Sequence, residues 1–145
     1  MIINSFRGDY FFLSNFYDCK IEYGGLVYHN SEALFQSFKT TDWEDKKRLS
    51  EMDPRSAKSF GRKVELVSNW EQIKVRCMYH TLVEKFTQNP DLAEKLIATG
   101  DAVLIECNNW RDTYWGVCGG KGSNRLGLML MLIRQELTEG KYCIK

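Results

Sequence analysis

A run of apolar residues at helical spacing constrains this fold more than any other feature of the sequence. The apolar side chains recur on one helix face at Trp70, Ile73, Cys77, Met78, Leu82 and Phe86. Ser68 and Glu71 have the spacing of a capping box at the start of this helix, and Asn89-Pro90 ends it. The sequence therefore predicts a core helix of about 69–88.

A β-hairpin is predicted at residues 19–29, with Gly24-Gly25 as its two-residue turn. This register pairs Tyr23 with Leu26 and Ile21 with Tyr28. All four side chains then lie on one face, as a half-buried hairpin requires.

The other predicted elements are mostly short helices. Asn30 or Ser31 caps a helix that starts at Glu32, and a capping box at Thr41–Glu44 opens the next one. The remaining elements are helices 42–51, 55–62 (ended by Gly61), Pro90 to about Thr99-Gly100 and about 124–138, and a buried strand at 102–107. The predicted class is α+β: one helix-rich domain, residues 1–145, with a small β-sheet or hairpin.

Charge and composition exclude several classes of protein. The 145 residues carry a formal net charge of +1, whereas a scaffold that coats duplex DNA has a strong basic excess. The five cysteines lack CxxC spacing and the two histidines are far apart, so no metal site is expected. No run reaches the roughly 20 apolar residues of a membrane helix, and no signal peptide is recognisable. These features predict a cytoplasmic protein with free thiols.

Three polar residues follow the hairpin at helical spacing: Glu32, Gln36 and Lys39. Such a stripe is ordinarily the solvated side of an amphipathic helix. The alternative is a catalytic face, since a carboxylate in the first helical turn is stabilised in its ionised form. An ionised carboxylate suits a base or the counter-charge to a cationic transition state.

Two loop motifs have similar alternatives. Ser14, Asn15 and Phe16 follow the stretch Phe-Phe-Leu, and Ser and Asn in loops usually satisfy backbone groups. The alternative is that these polar side chains reach into a pocket. Arg62 follows the glycine that ends a short helix, and it is either a surface residue or a guanidinium placed to grip phosphate.

The stretch RDTYWGVCGGKGSNRLG, residues 111–127, is rich in glycine but lacks the P-loop pattern. Its amides, together with Lys121 and Asn124, could hold phosphate at a helix start, although a glycine turn before a helix is common. Asp112 and Trp115 could orient a ribose and stack a base. The alternative is a core Trp with an Asp in a turn.

In this order, the motifs together resemble the NADAR, or YbiA-like, family. The motifs are Leu13-Ser14-Asn15-Phe16, Ser31-Glu32, Phe35-Gln36, Lys39, Gly61-Arg62, Trp70, Met78, Lys85-Phe86, Glu106, Asp112-x-x-Trp115-Gly116 and Gly122-x-Asn124-Arg125-Leu126-Gly127. They cover nearly the whole chain, so their set is specific although no single motif is.

The resemblance implies a YbiA-like fold and an N-glycosidase that uses no cofactor or metal. Relatives cleave ribosylamino-pyrimidine phosphates of riboflavin biosynthesis or remove ADP-ribose from guanine in nucleic acid. It implies catalytic roles for Glu32, Lys39 and Asp112. The implied substrate-binding residues are Asn15, Phe16, Gln36, Arg62, Trp115, Gly116, Lys121 and Asn124. The expected partner is a small phosphorylated ribosyl or ADP-ribosyl substrate, with ADP-ribosylated nucleic acid as a further candidate and no membrane.

Two positions depart from the family pattern. Ala33 stands where the family usually has His, and Cys118 stands where it usually has Gly. We expect activity with an altered substrate fit. The alternative function is an ADP-ribose or nucleotide binding module without turnover, which Ala33 favours if the missing His was needed.

Overall fold

The computed structural model describes residues 1–144, which form two compact units. The hairpin unit comprises Asn15–Asn89, and the terminal unit comprises Met1–Ser14 and the chain from Pro90 onward. The predicted α+β class is confirmed, because helices dominate both units and each has one two-stranded sheet. The single-domain organisation stays a prediction.

Four strands and six α-helices follow one another along the chain. They are β1 (Ile2–Ile3), β2 (Asp18–Tyr23), β3 (Leu26–Asn30), α1 (Ser31–Ser37), α2 (Trp43–Ser50), α3 (Pro54–Phe60), α4 (Trp70–Gln88), α5 (Pro90–Ala98), β4 (Val103–Leu104) and α6 (Arg125–Thr138). A 3-10 helix at Gly8–Leu13 precedes β2.

The predicted hairpin is confirmed with its register. β2 and β3 pair antiparallel, with Tyr23 opposite Leu26 and Ile21 opposite Tyr28. Ile21 and Tyr28 are fully buried. An irregularity between Asp18 and Ile21 then bends the start of β2.

Helix α1 lies at the centre of the hairpin unit. It contacts both strands of the hairpin and helices α2, α3 and α4, and all seven of its residues are buried. The Asn30 side chain accepts a hydrogen bond from the Ala33 amide and so caps the helix, as predicted. Apolar residues from five elements form the surrounding core, namely Ile21, Tyr28, Ala33, Leu34, Leu49 and Ala57.

Several predicted helix starts differ from the structure. Asp42 rather than Thr41 caps α2, with its carboxylate accepting from the amides of Glu44 and Asp45. Asp53 caps α3, which begins at Pro54 because proline at the first position needs no amide partner. The capping box at the start of α4 is wrong: Asn69 is the cap residue, and its side chain makes no capping hydrogen bond.

In the terminal unit, a short parallel sheet pairs the start of the chain with the segment that follows α5. β1 pairs with β4, so that Ile2 lies opposite Val103 and Ile3 opposite Leu104. Helix α6 contacts both β4 and α5. The predicted buried strand 102–107 is wrong in its extent, because only Val103–Leu104 is a strand and Val103 is exposed. The partner strand β1 has only two residues, so two residues of β4 are paired.

The cysteines, the length of the apolar helices and the groups able to bind a metal were also predicted from the sequence. All five cysteines are free thiols. Within residues 1–144, no helix combines the length and the apolar character needed to cross a membrane. The same residues bring together no group of three or more His, Cys, Asp or Glu side chains that could hold a metal ion.

One lysine, Lys85 of α4, is completely buried in the hairpin unit. Its ammonium lies 5.9 Å from the centre of the Tyr17 ring and 5.3 Å from that of Phe86. Desolvation lowers the pKa of Lys85 to about 8, while the Cys19 thiol opposes this effect. The unfolded chain therefore binds more protons than the folded one between about pH 8 and the ordinary lysine pKa.

We predict that Lys85 makes the free energy of unfolding rise with pH. Below pH 8 the buried ammonium is charged and costly, and this cost falls progressively as pH rises from the folded pKa of about 8 toward the ordinary lysine pKa. Relative to Lys85→Met, the unaltered protein should gain about 2 kcal/mol between pH 7 and 9.5. Urea unfolding of both proteins at each pH measures this difference.

The comparison with Lys85→Met removes the contributions of other groups that titrate in this range. Burial raises the pKa of Tyr23, Tyr28 and Cys77, which has the opposite effect on stability. An exposed lysine changed in the same way, Lys63→Met, is the matched control. Identical pH dependence in the unaltered and Lys85→Met proteins would contradict the prediction.

Candidate active site

Glu32 and Gln36 form a buried pair one helical turn apart on α1. The Gln36 amide nitrogen donates to the Glu32 carboxylate at 2.8 Å. Gln36 is 4% exposed and Glu32 is 8% exposed. The solvated-face interpretation of this stripe is therefore wrong for Glu32 and Gln36. A carboxylate taken out of water at this position needs such a donor to stay ionised.

The carbonyl oxygen of Gln36 lies against Gly61, the residue that ends α3. It is the one buried side-chain oxygen or nitrogen without a hydrogen-bond partner in the part of the chain that the structure describes. A Cβ added to Gly61 would overlap this oxygen and lie 2.6 Å from the Gln36 Cδ. Gly61 has a φ of −61°, so space and not backbone conformation requires glycine here.

Asn15 holds the start of α1 and is itself buried. Its backbone oxygen accepts from the Glu32 amide at 3.1 Å, and its side-chain oxygen accepts from the Ser31 hydroxyl at 2.9 Å. Its side-chain nitrogen points to the sulfur of Met78 at 3.5 Å. Asn15 therefore positions Glu32 through the backbone, and Phe16 lies half-buried beside it in the loop. Their contact with substrate stays a prediction.

Lys39 lies in the turn that follows α1 and not on the helix, which ends at Ser37. The prediction that it shares one helix face with Glu32 and Gln36 is wrong, because the chain leaves the helix after Ser37, two residues before Lys39. Its backbone oxygen accepts from the Val67 amide at 2.8 Å, and its ammonium lies 5.7 Å from the centre of the Trp70 ring.

The charge of Lys39 depends on its neighbours within the hairpin unit. Burial lowers its pKa from the ordinary lysine value, and the Glu32 carboxylate opposes this effect. Arg62, Lys58 and Lys74 lower it further through like-charge repulsion. Arg62 itself is exposed, in the turn after α3. Glu32 thus accepts a hydrogen bond from the Gln36 amide and also interacts electrostatically with Lys39, whose pKa is lowered.

Asp112 and Trp115 lie in an irregular loop of the terminal unit. One carboxylate oxygen of Asp112 accepts from the amides of Tyr114 and Trp115, at 3.1 and 2.9 Å. The half-buried Trp115 ring meets that of Tyr114 edge to face at 4.8 Å. Asp112 thereby shapes the loop that carries Trp115. Their roles toward substrate stay predictions.

Asn108 organises this loop, and the sequence analysis did not single it out. Its side-chain nitrogen donates to the Asp112 backbone oxygen at 2.8 Å and to the Glu106 carboxylate at 3.2 Å. Its side-chain oxygen accepts from the amides of Trp110 and Asp112. The spacing Asn-x-x-x-Asp carries no recognisable signal, because the loop closes only through these hydrogen bonds.

Gly116 gives the Glu106 carboxylate its space in the same loop. A Cβ on Gly116 would overlap a Glu106 oxygen and lie 2.9 Å from the Asn108 side-chain nitrogen. Gly116 and Gly61 thus have the same relation to an oxygen of a neighbouring side chain. In both cases the missing Cβ makes room for a polar group.

The glycines after Cys118 form a tight turn. Cys118 and Lys121 exchange backbone hydrogen bonds at 2.8 and 3.1 Å, and both Gly119 and Gly120 have positive φ. The two-residue turn requires this backbone conformation. Exposed Lys121 lies at the end of this turn, and its contact with phosphate stays a prediction.

Asn124 precedes α6 in a left-handed conformation and ties the loop to the sheet. Its side-chain oxygen accepts from the Glu106 amide, and its nitrogen donates to the Leu104 backbone oxygen, both at 2.9 Å. Both polar groups of this side chain therefore have backbone partners. Its proposed contact with phosphate stays a prediction.

We predict opposite changes in the Lys39 pKa for two single variants. Glu32→Gln removes the charge that raises this pKa, so it should fall, whereas Arg62→Gln removes a repulsion, so it should rise. NMR titration of the Lys39 side chain, assigned with Lys39→Arg, measures both changes. Exposed Lys47 of α2 supplies the control variant Lys47→Gln, which should leave the Lys39 titration unchanged. Shifts of the same sign in both variants would contradict this electrostatic account.

Comparison with known proteins identifies relatives along nearly the whole chain. The chain is 38% identical over 143 residues to the N-glycosidase YbiA of Escherichia coli, covering 94% of this chain and 89% of that protein. An NMR structure of YbiA superimposes with a TM-score of 0.84 at 36% identity, covering 97% of this chain and 86% of that one.

A longer relative is a riboflavin biosynthesis protein of Vibrio vulnificus, 39% identical over 132 residues. The match covers 88% of this chain but only 36% of the Vibrio protein. The relative named an N-glycosidase matches 94% of this chain, and the chain is accordingly an enzyme of the N-glycosidase type. The model of the NADAR domain matches residues 4–138, and the chain therefore belongs to the NADAR domain family.

Proposed function

We propose that this enzyme hydrolyses the C1′–N bond of a phosphorylated ribosyl N-glycoside and that Glu32 is its central carboxylate. The observation that carries the proposal is the buried Glu32–Gln36 pair. Its amide donor favours the ionised carboxylate, because a hydrogen bond to the charged form lowers the free energy of that form. An ionised carboxylate in a site shielded from water stabilises positive charge strongly.

Cleavage of the glycosidic bond places positive charge on the ribose. As the C1′–N bond breaks, its electron pair leaves with the nitrogen and the sugar gains oxocarbenium character. A carboxylate next to C1′ stabilises this charge. Glu32 can also take a proton from the attacking water, and this proton is passed to the departing nitrogen. The products are a ribose phosphate and a free amine.

Lys39 supplies a second chemical possibility at the same bond. Burial lowers its pKa, which increases the fraction of neutral amine at physiological pH. We propose that the Lys39 amine attacks C1′ as the C1′–N bond breaks. Opening of the ribose ring then gives a Schiff base, which water hydrolyses to regenerate the amine.

The names of two relatives support one of the two proposed substrate classes. The Vibrio relative and a chloroplast protein of Arabidopsis thaliana, 40% identical over 92 residues, are both named riboflavin biosynthesis proteins. We therefore propose a ribosylamino-pyrimidine phosphate as the first substrate to test and ADP-ribosylated guanine as the second. Because this chain covers 36% and 15% of those proteins, their names alone do not assign its substrate.

The remaining predicted residues have proposed binding roles. Exposed Arg62 would bind phosphate bidentately. Asp112 would bind ribose hydroxyls or assist the departing nitrogen, and Trp115 would stack the base or the sugar. Lys121 and Asn124 would complete the phosphate contacts. Ala33 lies in the apolar core of the hairpin unit. The alternative function, an ADP-ribose or nucleotide binding module without turnover, stays a prediction.

We predict that Glu32→Gln lowers turnover of the ribosylamino-pyrimidine phosphate by about 10²–10⁴-fold. Glutamine keeps the shape of the side chain but cannot stabilise the oxocarbenium charge. Release of the free amine, measured by chromatography, reports the loss. Exposed Glu44 of α2 supplies the matched control Glu44→Gln, which should retain full activity. Unchanged turnover in Glu32→Gln would remove Glu32 from the mechanism.

We also predict that borohydride traps a covalent adduct on Lys39 during turnover. Reduction of the Schiff base fixes the sugar to the amine, and peptide mass spectrometry then locates it. Lys39→Arg keeps the positive charge and should give no adduct. If turnover continues in borohydride without any labelled lysine, the covalent role is wrong and Lys39 acts only as a cation.

A further inference from the structure

We infer that Gly61 is a positioning residue for Glu32: it fixes the direction of the Gln36 amide so that the amide donates to the carboxylate. This inference rests on the proposed function of Glu32 and deepens it. It concerns which protonation state of Glu32 the protein favours.

The Gln36 side chain has two different ends, and only one orientation suits an ionised Glu32. The NH₂ end donates, and the carbonyl end accepts. With the NH₂ end toward Glu32, the carboxylate receives a hydrogen bond at 2.8 Å. With the amide turned over, two acceptors would face each other, and Glu32 and Gln36 would form a hydrogen bond only with a proton on the carboxyl group. The direction of the amide thus selects between a base and an acid at position 32.

Gly61 favours this direction because its Cα lies against the Gln36 oxygen with no side chain between them. The Gln36 oxygen occupies the position that a Cβ of residue 61 would fill. One Cα–H of the glycine therefore points at the oxygen, as in Cα–H···O contacts, which favour a carbonyl at this position. An NH₂ group there would place two hydrogens against the Cα–H. Among residues 1–144, no N–H or O–H group donates to this oxygen.

A similar contact between a glycine and a side-chain oxygen occurs at Gly116, which supports a structural role for the contact at Gly61. Gly116 leaves space for a Glu106 carboxylate oxygen in the way that Gly61 leaves space for Gln36. Neither glycine has the positive φ that would require glycine for backbone reasons. In both places the glycine leaves space for an oxygen of a side chain that also makes a hydrogen bond to another side chain. Gln36 donates to Glu32, and Glu106 accepts from Asn108.

Gly61→Ala tests this inference because φ at residue 61 is ordinary for alanine. The new methyl group has to displace the Gln36 oxygen, which removes the donor from Glu32. We expect kcat to fall about ten- to a hundredfold with little change in KM, since a hydrogen bond to a charged group is lost. The acidic limb of the pH profile should move to higher pH, because the ionised carboxylate is less stabilised. The cations of the neighbouring elements, Lys39, Lys58, Arg62 and Lys74, are unchanged in this variant.

A double-mutant cycle separates this role from a general structural one. Gln36→Ala vacates the space, so Gly61→Ala in that background should cause no further loss. The double variant also keeps the test informative if Gly61→Ala alone fails to fold. Exposed Ser59 of α3 supplies the control Ser59→Ala, which should leave kcat and the pH profile unchanged. Losses that multiply in the double variant, or full activity in Gly61→Ala, would overturn the inference.

A measurement on the substrate-free protein distinguishes failure of this inference from failure of the proposed function. NMR of the Gln36 side-chain amide and of the Glu32 carboxyl follows the hydrogen bond without any turnover. We expect Gly61→Ala to move the Gln36 amide resonances and to shift the Glu32 titration to higher pH. If both change while the unaltered protein cleaves neither substrate, the positioning role stands and the proposed function is wrong. If neither changes, the positioning role is wrong whatever the enzyme cleaves.

Discussion

The complete burial of α1 is the constraint on which the rest of the hairpin unit depends. The helix contacts five elements, and it carries Glu32 and Gln36 into the interior with its apolar residues. A buried carboxylate is costly unless its oxygens receive hydrogen bonds. The Gln36 amide meets this requirement, and Gly61 meets the further requirement of space for the amide oxygen. The packing of the apolar core and the hydrogen bond between Glu32 and Gln36 therefore depend on each other, and a change in either affects the other.

The elements with strong local signals could be predicted from the sequence. The Gly24-Gly25 turn and the alternation around it fix the hairpin register, since a slip by one residue would expose Ile21 and Tyr28. The α4 helix follows from its apolar period and from Pro90. The capping box before α4 and the strand at 102–107 were wrong. Short polar motifs and short apolar runs acquire their structure from tertiary contacts, which a local pattern does not contain.

The candidate site was predictable in its residue types but not in its geometry. Spacing placed Glu32, Gln36 and Lys39 together, yet it assumed a longer helix than the chain forms, and it did not show that Glu32 and Gln36 are buried. Asn108 gave no signal, because its four hydrogen bonds are made to a loop without periodicity. The sequence predicted only that Gly61 ends a helix. Its contact with Gln36 depends on how α3 packs against α1. The environment of Ala33, which departs from the family pattern, could not be predicted either, since its side chain lies in the apolar core.

The proposed reaction requires the protein to hold an ionised carboxylate at Glu32 for a cationic ribose. Binding of a ribose-like imino sugar phosphate, which carries a positive charge in the ring, tests this claim without requiring the natural substrate. Calorimetry should show that the unaltered protein binds this cation about tenfold or more tightly than its neutral ring-oxygen analogue. Glu32→Gln should bind the two compounds equally. Equal binding of both compounds by the unaltered protein, or an undiminished preference for the cation in Glu32→Gln, would contradict the account.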